Sequence, residues 1–282
     1  MPSFSRLVRF IADDDLTYYG DAILDDGETD ISRARQALAI EGSIFGSHSV
    51  TDKKLNIRRL ITPLAPADVG TVRCIGLNYG AHAKEAEMAT PKYPLLFYKP
   101  RTALSGPSDD IAIPRMAQEG LSIDYECELV VVIGKKCRNI SEANSLDYVL
   151  GYAVGNDVTH REWQLQWGEG QWSHGKGFDT WGPFGPGIAS GTIIDPTNLE
   201  ISTKVNGKVL QKSNTSDMLF SVRKIISLLS RGVTLMPGDV IFTGTPPGVG
   251  MYHSPPIWLR DGDIVQVNLE HIGSCTNKIC FE

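Results

Sequence analysis

Short apolar runs separated by glycine, proline or charged residues are the main pattern along this chain. Runs of this length with turn residues between them are typical of β-strands. The dipeptide Asn206-Gly207 stands between two such runs and predicts a two-residue hairpin turn. The runs that predict strands are 7–10, 18–24, 72–77, 95–98, 128–133, 149–154, 199–205, 208–211, 240–242 and, as a half-buried final strand, 265–269.

Helical spacing is much less frequent than strand spacing. Apolar residues at helical spacing fill 218–229, and Gly232 lies just past them, so this segment predicts the strongest helix. Shorter helices are predicted at 79–88 and at 30–39, the second with Asp30 as its N-cap. Many strands with one strong helix do not form an alternating βαβ array. We therefore predict a mixed β-rich α+β fold, a roll or a sandwich.

A change of pattern after residue 66 predicts two domains. Residues 1–66 hold two of the predicted strands and one short helix, and Pro63 and Pro66 mark a linker at their end. We therefore predict a small N-terminal α/β domain at 1–66 and a larger domain at 67–282.

Composition and charge place the chain among ordinary globular proteins. Of its 282 residues, 41% are hydrophobic and 21% are charged, which is enough apolar material for a core without disulfides. The five cysteines are odd in number and form no CxxC pair, so we expect reduced thiols. The net charge of −6 and the lack of a basic run argue against a nucleic-acid partner.

The chain also carries signals that bear on its location. No apolar stretch reaches the about 18 residues of a membrane-spanning helix, so no membrane partner is expected. Arg6 and Arg9 weakly suggest a mitochondrial transit peptide, but the acidic run Asp13-Asp14-Asp15 is unusual in such peptides. We expect a cytoplasmic protein, with mitochondria as the alternative.

Glu126 and Glu128 are the first candidates for chemistry. On a strand, side chains two residues apart point to the same face, about 6.6 Å apart along the chain. Two carboxylates placed this way repel each other unless a cation or a base lies between them. Asp157 ends another apolar run, and three carboxylates without histidine form a hard oxygen site suited to Mg²⁺, Mn²⁺ or Ca²⁺ and not to zinc. The alternative is a solvated strand edge.

His82 and Glu85 are three residues apart and would share one face of a helix. A carboxylate next to an imidazole fixes the tautomer of the ring and stabilises its cation, as a general base requires. The alternative is an ordinary surface pair.

Two glycine-rich segments could hold an anion. Lys176 lies between Gly175 and Gly177, where an ammonium group can approach an anionic ligand closely, although an ordinary loop lysine is the alternative. The segment 244–250 offers backbone N–H groups for an anion, or it is a rigid turn. The chain contains no GxGxxG, P-loop, HExxH or GxSxG motif, which argues against nucleotide-binding, zinc-protease and serine-hydrolase functions.

Taken together, the segments around these residues resemble the fumarylacetoacetate hydrolase family. They follow the order of that family over about 72–282. The matching segments are Gly76-Leu77-Asn78-Tyr79 with His82-Ala83-Lys84-Glu85, then 94–100, 124–129, 151–161, 175–180, 214–218, 237–240 and 243–250.

The resemblance implies a β-roll catalytic domain, usually in a homodimer, and a divalent-metal enzyme that acts on small anionic 2-oxo acids. It implies that Glu126, Glu128 and Asp157 bind the metal, which we expect from their oxygen ligands to be Mg²⁺ or Mn²⁺, with Ca²⁺ as the alternative. It also implies that His82 and Glu85 are the catalytic base pair.

Four further residues are implied at the substrate: Arg161, Gln164, Lys176 and Thr245, with Lys176 also catalytic. One departure from the family pattern is His160 with Glu162, where the family usually has alanine and aspartate. This departure affects the shape of the substrate site more than the metal.

Such a site fits three reactions. The favoured one is hydrolytic or lytic cleavage of a C–C bond in a small 2-oxo or 2,4-dioxo acid, with a metal-stabilised enolate and water activated by His82 and Glu85. The alternative is tautomerisation or decarboxylation of oxaloacetate, because both reactions pass through the same enolate. A non-catalytic binding scaffold is the third hypothesis, but such a protein would not need the His82–Glu85 pair.

Overall fold

The computed structural model describes residues 4–282. Strands dominate and the helices are short, which confirms the predicted mixed β-rich α+β fold. The strands are β1 (Arg6–Ala12), β2 (Thr17–Ile23), β3 (Gln36–Gly42), β4 (His48–Leu60), β5 (Val72–Gly76), β6 (Leu95–Lys99), β7 (Leu104–Ser105), β8 (Ile111–Ile113), β9 (Ile123–Asp124), β10 (Cys127–Ile133), β11 (Val149–Asn156), β12 (Thr159–His160), β13 (Gly182–Ala189), β14 (Glu200–Val205), β15 (Lys208–Asn214), β16 (Val240–Phe242), β17 (Ile264–Leu269) and β18 (Gly273–Phe281).

The α-helices are α1 (Gly80–Glu85), α2 (Trp172–Lys176) and α3 (Val222–Leu229). A π-helical turn spans Trp163–Trp167. Short 3₁₀ turns lie at Ile31–Arg33, Arg101–Ala103, Arg115–Gln118, Ser145–Tyr148, Thr215–Asp217 and Gly250–Tyr252.

One 11-stranded sheet forms the frame of the molecule. Its strands follow the order β2-β3-β4-β1-β13-β11-β10-β16-β5-β6, and β7 pairs with β13 beside that path. The pairs β16–β5 and β7–β13 are parallel, whereas β10 pairs with β11 and β16 in antiparallel fashion. All seven residues of β10 are buried, which explains why its residues 129–133 are all apolar and do not alternate with polar ones.

A second sheet, in the order β15-β14-β17-β18-β8, packs against the centre of the first. The main apolar cluster lies between the two sheets and includes Leu129 and Val131 from β10. Val130 and Val132 alternate with these residues and belong to a second apolar cluster. Because side chains alternate along a strand, Glu128 projects on the same side as Val130, away from the second sheet.

The predicted helix at 30–39 is wrong. Asp30 does cap a helical turn, since its side chain accepts the N–H of Ser32 at 2.9 Å, but that turn ends at Arg33. The chain then continues as β3, which pairs with β2 on one side and with β4 on the other. Hydrogen bonding along both edges of β3 outweighs the local preference for helix.

The first four strands extend the large sheet. Arg6 of β1 pairs with Ala189 of β13, and the N–H of Ile31 donates to the carbonyl of Ile272 at 2.9 Å. The strand β4 was not anticipated, because its residues are largely polar and only partly buried. A domain boundary near residue 66 stays a prediction.

Most other predicted elements are confirmed with shifted ends. The hairpin at Asn206-Gly207 joins β14 to β15, and both turn residues have positive φ, 49° and 81°, as a type I′ turn requires. The strongest helix begins at Val222, where the Ser221 side chain accepts the N–H of Lys224 at 3.3 Å, and not at residue 218.

Two further strands depart from prediction. The strand β17 is not the final one, because β18 follows it and pairs with it in antiparallel fashion. The central strand β13, with the sequence GPFGPGIA, was missed altogether. Proline and glycine normally argue against a central strand, so sequence reasoning excludes it.

Candidate active site

Three carboxylates converge where β10 and β11 meet. Glu128 lies in β10, Glu126 directly precedes that strand, and Asp157 directly follows β11. The antiparallel register pairs Cys127 with Asn156, so the start of β10 lies beside the end of β11. One oxygen atom from each carboxylate lies within 4.8 Å of the others, and all three residues are buried.

Buried cations balance two of these carboxylates. Nζ of Lys176 lies 2.9 Å from Glu126 Oε2 and 2.8 Å from Asp157 Oδ2, and it donates to Thr159 Oγ1 at 2.6 Å. Nη1 of Arg161 lies 2.8 Å from Glu126 Oε1. Burial alone would raise the pKa of Glu126, but Lys176 and Arg161 outweigh it and lower that pKa to about 2. Glu126 is therefore a carboxylate at neutral pH.

Glu128 differs from its two neighbours. It accepts the N–H of Gly244 at 2.7 Å, but within residues 4–282 no lysine or arginine forms an ion pair with it. Burial, followed by the charges of Asp157 and Glu126, raises the pKa of Glu128 well above its usual value. A further cation beside Glu128 would relieve this repulsion, and carboxylate oxygens are ligands that Mg²⁺ and Mn²⁺ prefer. The three acids therefore fit a divalent cation.

His82 and Glu85 contact each other on α1. Nδ1 of His82 donates to Glu85 Oε2 at 2.9 Å, the tautomer being assigned from this contact. The other oxygen of Glu85 accepts the N–H of Gly248 at 2.8 Å. With Nδ1 occupied in this way, Nε2 of His82 is the nitrogen that can accept a proton.

Asp124 holds Arg161 in place. Nε and Nη2 of Arg161 lie 2.9 and 2.8 Å from Asp124 Oδ2, and Nη1 donates to Gln164 Oε1 at 2.9 Å. Burial would lower the pKa of Arg161, but Asp124 and Glu126 outweigh it and raise that pKa above its usual value. The guanidinium group is thus a permanent positive charge in a fixed orientation.

The segment 244–250 uses its backbone N–H groups on the acids of the protein itself. Three of its glycines donate to three different carboxylates. The pairs are Gly244 with Glu128, Gly248 with Glu85 and Gly250 with Asp124, at 2.7, 2.8 and 2.7 Å. This arrangement favours the rigid-turn interpretation of the segment over a binding site for an external anion.

A cavity of about 70 Å³ opens beside these groups. Its apolar wall includes Phe97 and Trp172. Asp157 and Glu85 do not line the cavity themselves, but each contacts a residue that does. The predicted site residues that line the cavity are His82, Glu126, Glu128, Arg161, Gln164, Lys176 and Thr245.

Lys176 and Thr245 are both held in place by contacts within the protein. Lys176 ends α2 and points its ammonium group at Glu126 and Asp157, so it does not lie in an open loop. Thr245 accepts a hydrogen bond from Nε2 of Gln211 at 2.9 Å, which fixes its hydroxyl group at the cavity wall.

His160, the bulky departure from the family pattern, lies outside the cavity. It is fully buried, its Nε2 donates to the carbonyl of Glu119 at 2.9 Å, and its ring packs 5.3 Å from that of Trp167. The substitution therefore supports the packing around the π-helical turn and does not enter the substrate space.

Sequence reasoning missed Asp124 and Lys99. Asp124 lies two residues before Glu126. On an extended segment both side chains point to the same face, so this spacing could have indicated Asp124. Lys99 lies 2.7 Å from Asp157 Oδ1, but it follows an apolar run, where a lysine usually marks the exposed end of a strand. Only the fold brings Lys99 to the carboxylates.

Comparison with known proteins places these residues in a family context. Residues 71–280 match the family model described as fumarylacetoacetate (FAA) hydrolase C-terminal. The fumarylacetoacetate hydrolase domain-containing protein 2 homolog of Dictyostelium discoideum is 42% identical and covers 92% of this chain and 91% of its own. The mitochondrial oxaloacetate tautomerase Fahd2a of Rattus norvegicus is also 42% identical, over 91% of this chain and 78% of its own.

A solved structure gives the same picture. The 2-hydroxyhepta-2,4-diene-1,7-dioate isomerase of Mycobacterium marinum superposes with a TM-score of 0.82 at 37% identity, over 99% of each chain. No helix within residues 4–282 is both long enough and apolar enough to span a membrane.

Proposed function

The chain belongs to the fumarylacetoacetate hydrolase family, and from this premise we propose that it catalyses the keto–enol tautomerisation of oxaloacetate or a similar small 2-oxo acid. The observation that carries this proposal is that the His82–Glu85 pair and the three carboxylates meet at one small cavity. Tautomerisation requires one base and one means of stabilising an enolate. Relatives named oxaloacetate tautomerase, at 42% and 40% identity, support this choice of substrate.

Glu126, Glu128 and Asp157 would hold the divalent cation. When bound, the cation would supply Lewis-acid stabilisation of the negative charge that develops on the C2 oxygen of the substrate. The buried acids of the site exceed its buried bases by one charge, so a dication would leave a net charge of about +1, which suits an anionic substrate. These acids are Asp124, Glu126, Glu128 and Asp157, and the bases are Lys99, Arg161 and Lys176.

Arg161 and Lys176 bring positive charge to the cavity wall. Both are buried, and carboxylates fix both in position, so each presents its positive charge to an anionic substrate without first losing conformational freedom. Gln164 and Thr245 lie on the same wall and can donate hydrogen bonds to substrate oxygens. A dicarboxylic 2-oxo acid matches these charges.

His82 carries out the proton transfer. Because Glu85 holds Nδ1–H, Nε2 is free to take a proton from C3 of the keto acid. The electron pair of that C–H bond becomes the C2=C3 double bond, and the π pair of the C2 carbonyl moves onto its oxygen. The imidazolium of His82 then returns its proton to this oxygen, which gives the enol. The Glu85 carboxylate stabilises the imidazolium that forms in between.

Cleavage of a C–C bond in an acylpyruvate is the second candidate. The observation that favours it is an apolar mouth: Met88, Leu165 and Tyr252 line the cavity and are 49%, 43% and 40% exposed. These side chains could bind an acyl group. In that reaction His82 would instead take a proton from water attacking the C4 carbonyl.

A substrate panel separates the candidates. We expect the purified protein with Mg²⁺ or Mn²⁺ to interconvert enol and keto oxaloacetate faster than buffer, followed by the enol absorbance, and to release pyruvate or cleave acetylpyruvate much more slowly. Cleavage of acetylpyruvate without acceleration of tautomerisation would overturn the proposal in favour of the second candidate. No turnover of either substrate would favour a binding scaffold.

A homodimer and a mitochondrial location are also part of the proposal. The homodimer expected from the resemblance is tested by light scattering of the purified protein. The names of the Rattus norvegicus and Homo sapiens relatives include a mitochondrial location, which favours mitochondria over the cytoplasm for this chain. Fractionation of cells that express it would decide between the two.

A further inference from the structure

Lys99 is a buried lysine that the proposed mechanism does not use. It ends β6, the edge strand of the large sheet, and its side chain has no exposed surface, although lysine is almost never fully buried without a partner. Its ammonium nitrogen lies 2.7 Å from Asp157 Oδ1. Neither Lys99 nor Asp157 lines the cavity. Lys99 therefore contacts the carboxylate cluster on the side away from the cavity and does not reach a substrate.

Three backbone carbonyl groups surround the same ammonium group. Nζ of Lys99 donates to the carbonyls of Trp181 at 2.9 Å and Val158 at 3.2 Å, and it also contacts the carbonyl of Lys176. These carbonyls belong to the segment after β11, to the segment before β13 and to the end of α2. One side chain therefore joins the segment that carries Asp157 to the helix that carries Lys176.

The two oxygens of Asp157 have different neighbours as a result. Oδ1 faces Lys99, whereas Oδ2 faces Lys176, which in turn bridges to Glu126. We propose that Lys99 is a positioning residue for the metal centre: it holds Asp157 so that Oδ2 is presented toward the other two carboxylates. This inference rests on the proposed metal site and adds a residue that lies behind it.

Positioning and simple charge balance predict opposite effects. If Lys99 contributed only a positive charge, its removal would make the cluster more negative and strengthen binding of a dication. If it orients Asp157, its removal releases a ligand, and groups that orient metal ligands typically contribute about 10–100-fold to metal affinity. The direction of the change in affinity thus distinguishes the two roles.

The experiment is a Mn²⁺ titration of the full chain by calorimetry and by electron paramagnetic resonance, without substrate. We expect Lys99→Met to weaken Mn²⁺ binding by about 10–100-fold and to change the zero-field splitting of the bound ion. Lys99→Gln keeps two N–H donors at the position, so it should fold more readily and show a smaller loss. Lys208→Met removes the same charge from an exposed lysine of β15 and should leave Mn²⁺ binding unchanged.

Each outcome has a separate meaning. Wild-type or tighter Mn²⁺ binding with an unchanged spectrum in folded Lys99→Met would overturn the positioning role. If Lys99→Met does not fold, the same result in Lys99→Gln overturns it. If the wild-type protein itself does not bind Mn²⁺, the proposed metal site fails, and the inference about Lys99 fails with it.

Discussion

The backbone N–H of Gly248 donates to Oε1 of Glu85 at 2.8 Å, across 163 positions of sequence. The same short segment also donates to Glu128 and Asp124. It therefore sets the positions of three acids with different proposed roles: one orients the base, one binds metal and one anchors Arg161. A displacement of this segment is expected to affect catalysis before it affects the overall fold.

Gly248→Ala should uncouple Glu85 from this segment. Gly248 has a φ of +98°, and a Cβ there would collide with the carbonyl oxygen of Leu210. The segment must shift, so we expect the tautomerisation rate to fall toward the loss of about 10²–10⁴-fold that removal of a general base produces. Rate measurements at saturating Mn²⁺ would test this.

Gly207→Ala is the matched control for Gly248→Ala. Gly207 also has a positive φ, +81°, but nothing lies within 4 Å of a Cβ there. Alanine should cost about 1 kcal/mol of stability through backbone strain and leave the rate unchanged. An equal loss of rate in both variants would indicate general destabilisation and contradict the role of Gly248.

Local sequence signals predicted those elements whose partners lie nearby in the chain. The Asn206-Gly207 hairpin is such a case, because its turn conformation depends on the two turn residues themselves. The helix expected at 30–39 failed because β3 gains hydrogen bonds from two strands whose positions no local window contains. The missed strand β13 has the same cause: its prolines are tolerated only because of the particular neighbours it finds.

The residues of the candidate site also divide into those that are close in sequence and those that only the fold brings together. Glu126 with Glu128, and His82 with Glu85, are close in sequence, so spacing alone could select them. Lys99 could not be selected, because its proposed role depends on Asp157, which lies 58 positions further along the chain and directly follows β11. Charge balance within a buried cluster is a property of the assembled fold.

Glu128→Gln and Glu126→Gln should have opposite effects on the stability of the metal-free protein. Glu126 pairs with Lys176 and Arg161, so its loss removes one of the two carboxylates that each of these buried cations contacts and should destabilise the protein. Among residues 4–282, the N–H of Gly244 is the one hydrogen-bond partner of the Glu128 carboxylate, and a glutamine oxygen can accept that bond. We therefore expect Tm to fall in Glu126→Gln and to rise in Glu128→Gln.

Both variants should lose Mn²⁺ affinity and activity. Thermal unfolding in the presence of a chelator, followed by Mn²⁺ titration, measures the two effects separately. A lower Tm in Glu128→Gln would show that this carboxylate stabilises the metal-free protein, contrary to its lack of a cationic partner. Full turnover by chelator-treated wild-type protein would contradict a metal role for both residues.

His82→Ala should remove proton transfer and leave metal binding intact. His82 lines the cavity but is not one of the three clustered carboxylates, so the expected result is a loss of about 10²–10⁴-fold in rate with unchanged Mn²⁺ affinity. Glu85→Gln should act in the same direction but more weakly, since the imidazole remains.

Decarboxylation of oxaloacetate needs no attacking water, so His82→Ala should reduce it less than acetylpyruvate hydrolysis. Equal losses on these two substrates would argue against water activation by His82.

Asp124→Asn should weaken substrate binding through Arg161. The carboxylate of Asp124 accepts a hydrogen bond from Nε of Arg161 and forms an ion pair with Nη2, and it also accepts the N–H groups of Gly250 and Met251 at 2.7 and 3.0 Å. An asparagine retains a single acceptor oxygen and turns an NH₂ group toward one of these donors. Two effects then compete: the site becomes more positive, which attracts an anion, while the guanidinium group loses its fixed orientation.

We expect orientation to dominate for Asp124→Asn, because a guanidinium group binds a carboxylate well only when its planar fork is aligned. KM for oxaloacetate should therefore rise by more than kcat falls, and oxalate should inhibit less strongly. Mn²⁺ affinity should change little, because Asp124 contacts none of the three clustered carboxylates directly. Tighter oxalate inhibition in Asp124→Asn would mean that net charge outweighs orientation. The negative charge of Asp124 would then weaken anion binding more than its contact with Arg161 strengthens it.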